Sequence, residues 1–225
     1  MNIREMFDDI SPAYDLLNHL LSFGRDKKWR KRAVYTLEVK ENDFLLDIAC
    51  GTGDMLLAVK AISPLTFTVG IDFSLNMLHA AQKKGLPSQL AAADACALPF
   101  NSNYFNKITM AFGFRNIPDK PRVLSEAYRV LKPGGVLGIL EFSKPENTLF
   151  SVLYWFYFKY ILPSAGAVIS GHREAYRYLP ESVTSFPNND DYLDMVRSAE
   201  FSNVILTPYD FGICSLLTAE KVICP

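Results

Sequence analysis

Two apolar periods alternate along this chain from residue 44 onward. Phe44-Leu45-Leu46-Asp47-Ile48-Ala49 is a nearly unbroken apolar run that turns over on Cys50-Gly51-Thr52-Gly53-Asp54. Met55-Leu56-Leu57-Ala58-Val59 then takes helical spacing. A run apolar on both faces, a tight glycine turn and a helix read as a buried parallel strand with its crossover. The alternation continues with a strand over Phe67–Ile71, a helix over Asn76–Lys83, a short strand near Leu90–Ala92, a strand over Phe105–Ala111 and a helix from Lys120 to Val130. Lys132-Pro133-Gly134-Gly135 reads as a turn into the strand Val136–Glu141, and Phe201–Leu206 with Phe211–Val222 reads as a closing strand pair. Strands and helices in this order predict an α/β, Rossmann-like doubly wound sheet of about seven strands.

The flanks depart from that alternation. Tyr14 to Leu21 has apolar residues at helical spacing, broken by Ser22-Phe23-Gly24, and Arg25 to Arg32 is dense in positive charge around Trp29. On a helix, Trp29, Ala33 and Leu37 share one face and the basic groups take the others. That basic face suits solvent or an anionic membrane surface. Leu149 to Leu162 is aromatic throughout but interrupted by Lys159 and followed by Pro163, which argues against a membrane span. It reads as a buried helix or as an apolar lid over a hydrophobic substrate, with Tyr154 and Phe158 as contacts. Tyr176, Tyr178 and Ser182 in the polar stretch after it are suited to gripping a ring. The expected organisation is one domain over residues 1–225, with an N-terminal helical cap over 1–40 and a substrate-side insertion over 145–187.

Composition adds boundaries rather than identity. With 49% hydrophobic residues in 225, one sizeable core is within reach. A formal net charge of −1 argues against a general nucleic-acid binder. Cys50, Cys96, Cys214 and Cys224 form no C-x-x-C pair, so neither a zinc site nor a disulfide framework is expected. Met1 to Ser11 mixes Arg4, Glu5, Asp8 and Asp9 and offers no apolar segment of a secretory signal, so a cytoplasmic protein is expected.

In a doubly wound sheet, ligands sit beyond the carboxyl ends of the strands. Those ends gather Asp47 to Gly53, Asp72 with the following Phe73, Asp94 with Ala95, and Ala111 to Asn116 around one crevice. The glycines Gly51 and Gly53 let backbone N–H groups approach a ligand closely. Leu56 stands where a dinucleotide fingerprint has its third glycine, which disfavours NAD. A carboxylate at Asp47 repels phosphate yet tolerates a sulfonium and an ammonium. Asp72 can accept the two ribose hydroxyls, while Asp94 can accept from an adenine amino group and Ala95 can give its N–H to the ring. The cofactor predicted from these positions is S-adenosylmethionine, with S-adenosylhomocysteine as product and no metal. Arg115 and Asn116 put a cation and an amide at the mouth of the crevice, where an arginine can stabilise an oxyanion.

Several stretches then carry a resemblance over nearly the whole length. Phe7-Asp8-Asp9-Ile10-Ser11-Pro12-Ala13-Tyr14-Asp15-Leu16-Leu17-Asn18, Leu21-Ser22-Phe23-Gly24 with Trp29, the turn at Asp47 to Asp54, Phe112-Gly113-Phe114-Arg115-Asn116, Leu140-Glu141-Phe142-Ser143-Lys144-Pro145 and Tyr176-Arg177-Tyr178-Leu179 with Glu181-Ser182 follow in the order of one family. The chain resembles the ubiquinone/menaquinone biosynthesis C-methyltransferases. The resemblance implies a class I fold and methyl transfer from S-adenosylmethionine to a ring carbon of a polyprenylated quinol. Demethylmenaquinol is the first expectation; a polyprenyl-methoxy-benzoquinol, or both quinols, is the alternative. It also implies cofactor contacts at Thr52, Asp72, Asp94, Ala95 and Ala111, where the family usually has serine at the last, and quinol activation by Tyr14, Arg115 and Asn116. Leu217 stands where the family usually has histidine. Peripheral contact with the inner face of the cytoplasmic membrane fits such a substrate, and a homodimer stays open. Rival readings are a methyltransferase of a soluble phenol or sterol-like acceptor, and a methyltransferase-like binding module without catalysis.

Overall fold

Seven strands form one sheet in the order β3-β2-β1-β4-β5-β7-β6, parallel except for β7. The strands of this computed structural model are β1 Phe44–Ile48, β2 Phe67–Asp72, β3 Gln89–Ala92, β4 Phe105–Ala111, β5 Leu131–Phe142, β6 Phe201–Tyr209 and β7 Cys214–Lys221. The α-helices bounded within the described residues are α1 Asp26–Thr36, α2 Asp54–Ile62, α3 Leu75–Lys83, α4 Lys120–Val130 and α5 Asn189–Ser198. The structure describes residue 22, residues 24–144 and residues 181–223. The expected aromatic lid and most of the N-terminal cap lie outside those residues.

Neighbouring residues of β1 serve opposite faces, as a strand's period of two requires. Leu45 joins an apolar cluster with Trp29, Ala33 and Val34 of α1 and Met55, Leu56 and Val59 of α2. Leu46 joins a second cluster with Val123, Leu124 and Ala127 of α4 and Tyr192 and Val196 of α5. Trp29, Ala33 and Leu37 are all buried, so the predicted apolar face of α1 is the one packed on the sheet. Leu37 lies over Gly138 of β5, where an added Cβ would come within 2.6 Å of its methyl carbon. Lys27, Lys28 and Lys31 stay on the solvent side.

Three of these five helices start at side-chain caps. Ser74 accepts from the Met77 N–H at 3.1 Å ahead of α3, Asp119 from the Arg122 N–H at 3.0 Å ahead of α4, and Asn188 from the Asp191 N–H at 2.9 Å ahead of α5. Two expectations change. The turn at Lys132-Pro133-Gly134-Gly135 is absorbed into one strand, Leu131–Phe142, because the pairing slips between Phe105↔Leu131 and Lys107↔Val136 and leaves the extra residues as a bulge with Gly134 at φ 74°. Helix α5 was not expected, since its apolar face rests mainly on Tyr192 and Val196, four apart in a polar stretch. Leu217 pairs with Ile139 and Leu206 and is fully buried, so an apolar side chain at that position completes the second cluster.

Candidate active site

A cavity of about 600 Å³ opens at the carboxyl ends of β1, β2, β3 and β4. It is lined by Ala49 and Gly51 after β1, Asp72 and Phe73 after β2, Asp94 to Cys96 after β3, and Phe112, Gly113 and Asn116 to Pro118 after β4. Its volume lies in the range of small-molecule sites. The backbone bends sharply on two sides of it, with Ala49 at φ 54° and Phe112 at φ 61°. Left-handed conformations in non-glycine residues cost about 1–2 kcal/mol and tend to persist at functional sites. Tertiary hydrogen bonds hold both bends, from the Cys50 N–H to the Ile71 carbonyl at 2.9 Å and from the Phe112 N–H to the Leu140 carbonyl at 2.8 Å. Gly113 passes so close to Ala49 that an added Cβ would meet the Ala49 Cβ at 2.8 Å.

Asp72 ties two of these walls together. One carboxylate oxygen accepts from the Gly51 N–H at 2.8 Å and the other from the Ser74 N–H at 2.9 Å. A carboxylate held in this way by two walls is the group type that receives a pair of adjacent hydroxyls. Asp94 accepts from the Cys96 N–H at 2.8 Å, closing an Asx turn that brings Ala95 to the wall. Apolar Ile71, Met77 and Ile117 complete the lining and suit a flat ring. An adenosine with ribose at Asp72 and base near Asp94 fits this distribution of groups.

Not every expected residue reaches the cavity. Asp47, Thr52, Gly53 and Ala111 do not line it. Asp47 is buried under the floor, where one carboxylate oxygen accepts from the Thr109 hydroxyl at 2.7 Å and the other, Oδ2, has no partner among the described residues. Burial pushes its carboxyl up to about 7, against the lowering effects of Thr109 and Arg30. Thr52 is buried, Gly53 caps α2 at φ 82°, and Ala111 packs against the first core cluster.

The expectation of an arginine cation at the mouth is corrected. The Arg115 side chain is only 6% exposed and is spent on the interior: it pairs with Glu141 at 2.6 Å, donates to the Phe112 carbonyl and approaches the Ser182 hydroxyl at 3.3 Å from Nε. Its own N–H donates to the second Glu141 oxygen at 3.1 Å. Asn116, next in the same 3-10 turn, does line the cavity. Lys120 braces the turn from α4 through the Arg115 and Ile117 carbonyls, at 3.2 and 2.9 Å. Ser182, expected on the substrate, is thus a partner of Arg115. Tyr14, Tyr154, Phe158, Tyr176 and Tyr178 lie outside the described residues. In the sequence, the signal of Glu141 is a lone acid at the end of the apolar run Val136 to Phe142. Among the described residues, no three His, Cys, Asp or Glu side chains gather as a metal site.

Comparison with known proteins gives one consistent result. The model of the ubiE/COQ5 methyltransferase family matches residues 1–221. A demethylmenaquinone methyltransferase of Thermus thermophilus is 45% identical, with 96% of this chain and all of that protein covered. One of Geobacillus stearothermophilus is 39% identical over 97% of this chain and 96% of its own length. A ubiquinone/menaquinone biosynthesis C-methyltransferase of Geobacter sulfurreducens is 42% identical over 97% and 88%. Among solved structures, a SAM-dependent methyltransferase of Thermotoga maritima superposes with a TM-score of 0.69 at 19% identity, covering 97% of this chain and 99% of that one. A phosphoethanolamine N-methyltransferase of Haemonchus contortus, solved with S-adenosyl-L-methionine, gives 0.63 at 16% identity over 86% of this chain and 52% of that one. At these identities the structures speak to the fold, which is that of class I methyltransferases.

Proposed function

The chain belongs to the ubiE/COQ5 methyltransferase family, and from that premise we propose that it methylates a ring carbon of demethylmenaquinol to give menaquinol. It is an S-adenosylmethionine-dependent methyltransferase of quinone biosynthesis. The observation that carries the naphthoquinol is the name shared by the full-length Thermus and Geobacillus relatives. The name of the Geobacter relative covers both quinones and supports a second reading in which a benzoquinol is also accepted.

The donor fits the cavity by the groups described above. Asp72 would take its ribose, and Asp94 with the Ala95 backbone its base. When bound, S-adenosylmethionine supplies an electrophilic methyl group, for which a quinol ring carbon made electron-rich by loss of a phenolic proton is the fitting nucleophile. Asn116 lines the cavity, which supports a role in holding the phenol oxygen. Arg115 acts from behind it by fixing the turn to Glu141. Tyr14 stays in the reading as a positioning group for the phenol proton. Alignment of the reacting atoms, rather than strong acid–base chemistry, would supply most of the acceleration.

A prenylated acceptor resides in a bilayer, and the lysines on the outer side of α1 suit an anionic membrane surface. Among the described residues, no helix is long and apolar enough to cross a membrane. The deciding experiment incubates the protein with methyl-labelled S-adenosylmethionine and either chemically reduced demethylmenaquinone or its benzoquinol counterpart. Label in the naphthoquinol is expected; label in neither quinol removes the proposal.

A further inference from the structure

A buried arginine on α1 has a donor to spare close to the cavity. Arg30 is 5% exposed. One terminal nitrogen pairs with Asp26 four residues earlier and stands 3.9 Å from Asp54, the first residue of α2. Its guanidinium carbon lies 5.2 Å from the ring centre of Phe112, a wall of the cavity. Its Nε–H has no hydrogen-bond partner among the described residues. Leaving a buried donor of this kind unpaired costs about 1–3 kcal/mol.

The other unpaired charged atom in this neighbourhood has the opposite sign. Asp47 Oδ2 is also buried and without a partner among the described residues, Arg30 and Asp47 are within electrostatic reach of each other, and they do not bond each other. A simple structural role for Arg30, neutralising Asp26, uses one terminal nitrogen and leaves the Nε–H unexplained; a lysine would neutralise Asp26 as well. A purely cationic ligand would satisfy Asp47 and leave Arg30 unpaired, and an anion would do the reverse. A zwitterion satisfies both.

Resting on the S-adenosylmethionine reading of this site, we infer that Arg30 receives the α-carboxylate of the donor's amino-acid tail, with the α-ammonium turned to the side beneath which the buried Asp47 carboxylate lies. The tail then runs from the cavity past the glycine turn toward α1. Helix α1 becomes part of the cofactor site, and Arg30 is a binding residue set apart from the exposed basic residues around it.

Calorimetry with two probes tests this: S-adenosylmethionine and its decarboxylated form, which keeps the sulfonium and ammonium and lacks only the carboxylate. The intact protein should bind the first about tenfold or more tightly than the second, the ratio expected of one charge-assisted hydrogen bond. Arg30→Met should weaken S-adenosylmethionine by about ten- to a hundredfold and leave the decarboxylated form within about twofold. Arg30→Lys, which keeps the charge beside Asp26 but not the Nε–H, should lose the same discrimination while melting close to the parent. Equal losses for both probes, or no loss for either, would overturn the assignment. An unmodified protein that binds neither probe would end the donor reading itself, and this inference with it.

Discussion

The guanidinium of Arg115 meets the carboxylate of Glu141 at 2.6 Å with both side chains buried. Glu141 also receives the Arg115 N–H, so the acid holds both the backbone and the side chain of the turn that presents Asn116. Removing one member of a buried pair leaves an uncompensated charge and typically costs about 3–5 kcal/mol, whereas replacing both by apolar groups is often neutral. Arg115→Ala is therefore expected to lose about that much stability in chemical denaturation, and Arg115→Met with Glu141→Leu to recover most of it while staying inactive. If the double variant is as unstable as the sum of the singles, the two are not coupled. In a variant stable enough to assay, turnover should fall far more than donor affinity, because the pair shapes the acceptor side of the cavity.

Asp72 carries a separate prediction. Its carboxylate anchors two backbone N–H groups from two walls and lines the cavity where the donor's ribose is proposed to lie. Asp72→Ala should weaken S-adenosylmethionine binding by about a hundredfold or more in calorimetry, since hydrogen bonds to a charged group are worth about 1.5–3 kcal/mol each. Unchanged affinity would remove Asp72 from the cofactor site.

Much of this arrangement was legible in the residues, for a physical reason. A parallel strand buried on both faces has to be largely apolar, so β1 announces itself, and the carboxyl ends of the strands line the cavity by topology. That topology puts Asp72 and Asp94 on the cavity wall. Burial of a charged group is not local information. Arg115 in Phe114-Arg115-Asn116 looks like a cation offered to solvent until β5 brings Glu141 beneath it, 26 residues later. Arg30 looks like one more charge in a basic run until α1 packs on the sheet and carries one of its basic residues inward. Lys132-Pro133-Gly134-Gly135 has the composition of a turn, and only the pairing of β5 with β4 shows that a bulge can hold it.

The raised carboxyl of Asp47 makes a statement about pH. Burial lifts it from 3.8 to about 7, so the folded protein holds that proton more tightly than the unfolded chain does. Its contribution is fully present below pH 3.8 and is lost as pH rises through about 7, where the folded protein must bury a charge. Thermal stability of the ligand-free protein should therefore carry a declining component between those values, and Asp47→Asn should abolish it. Donor binding, which favours the ionised form through the ammonium, should strengthen as pH rises from 6 to about 7 and level off beyond, as seen by calorimetry across that range. An Asp47→Asn variant with the parent's pH dependence in both measurements would contradict this account.

The close approach of Gly113 to Ala49 gives a test confined to space. Gly113 has φ −110°, open to any residue, so its substitution by alanine carries no backbone penalty. The added Cβ would still lie 2.8 Å from the Ala49 Cβ, and neither strand end can retreat easily, because Cys50 and Phe112 are each hydrogen-bonded to a neighbouring strand. Gly113→Ala should cost about 1–3 kcal/mol, in the range of overpacked cores, and weaken donor binding by spreading the walls after β1 and β4. Ala49→Gly removes the atom that is struck and relieves a residue at φ 54°, a conformation glycine adopts freely. Alone it should be neutral or stabilising by up to about 1 kcal/mol, and in combination it should restore both the melting temperature and the affinity lost in Gly113→Ala. Losses that persist in the double variant would mean that Gly113 is required for something other than the room it leaves beside Ala49.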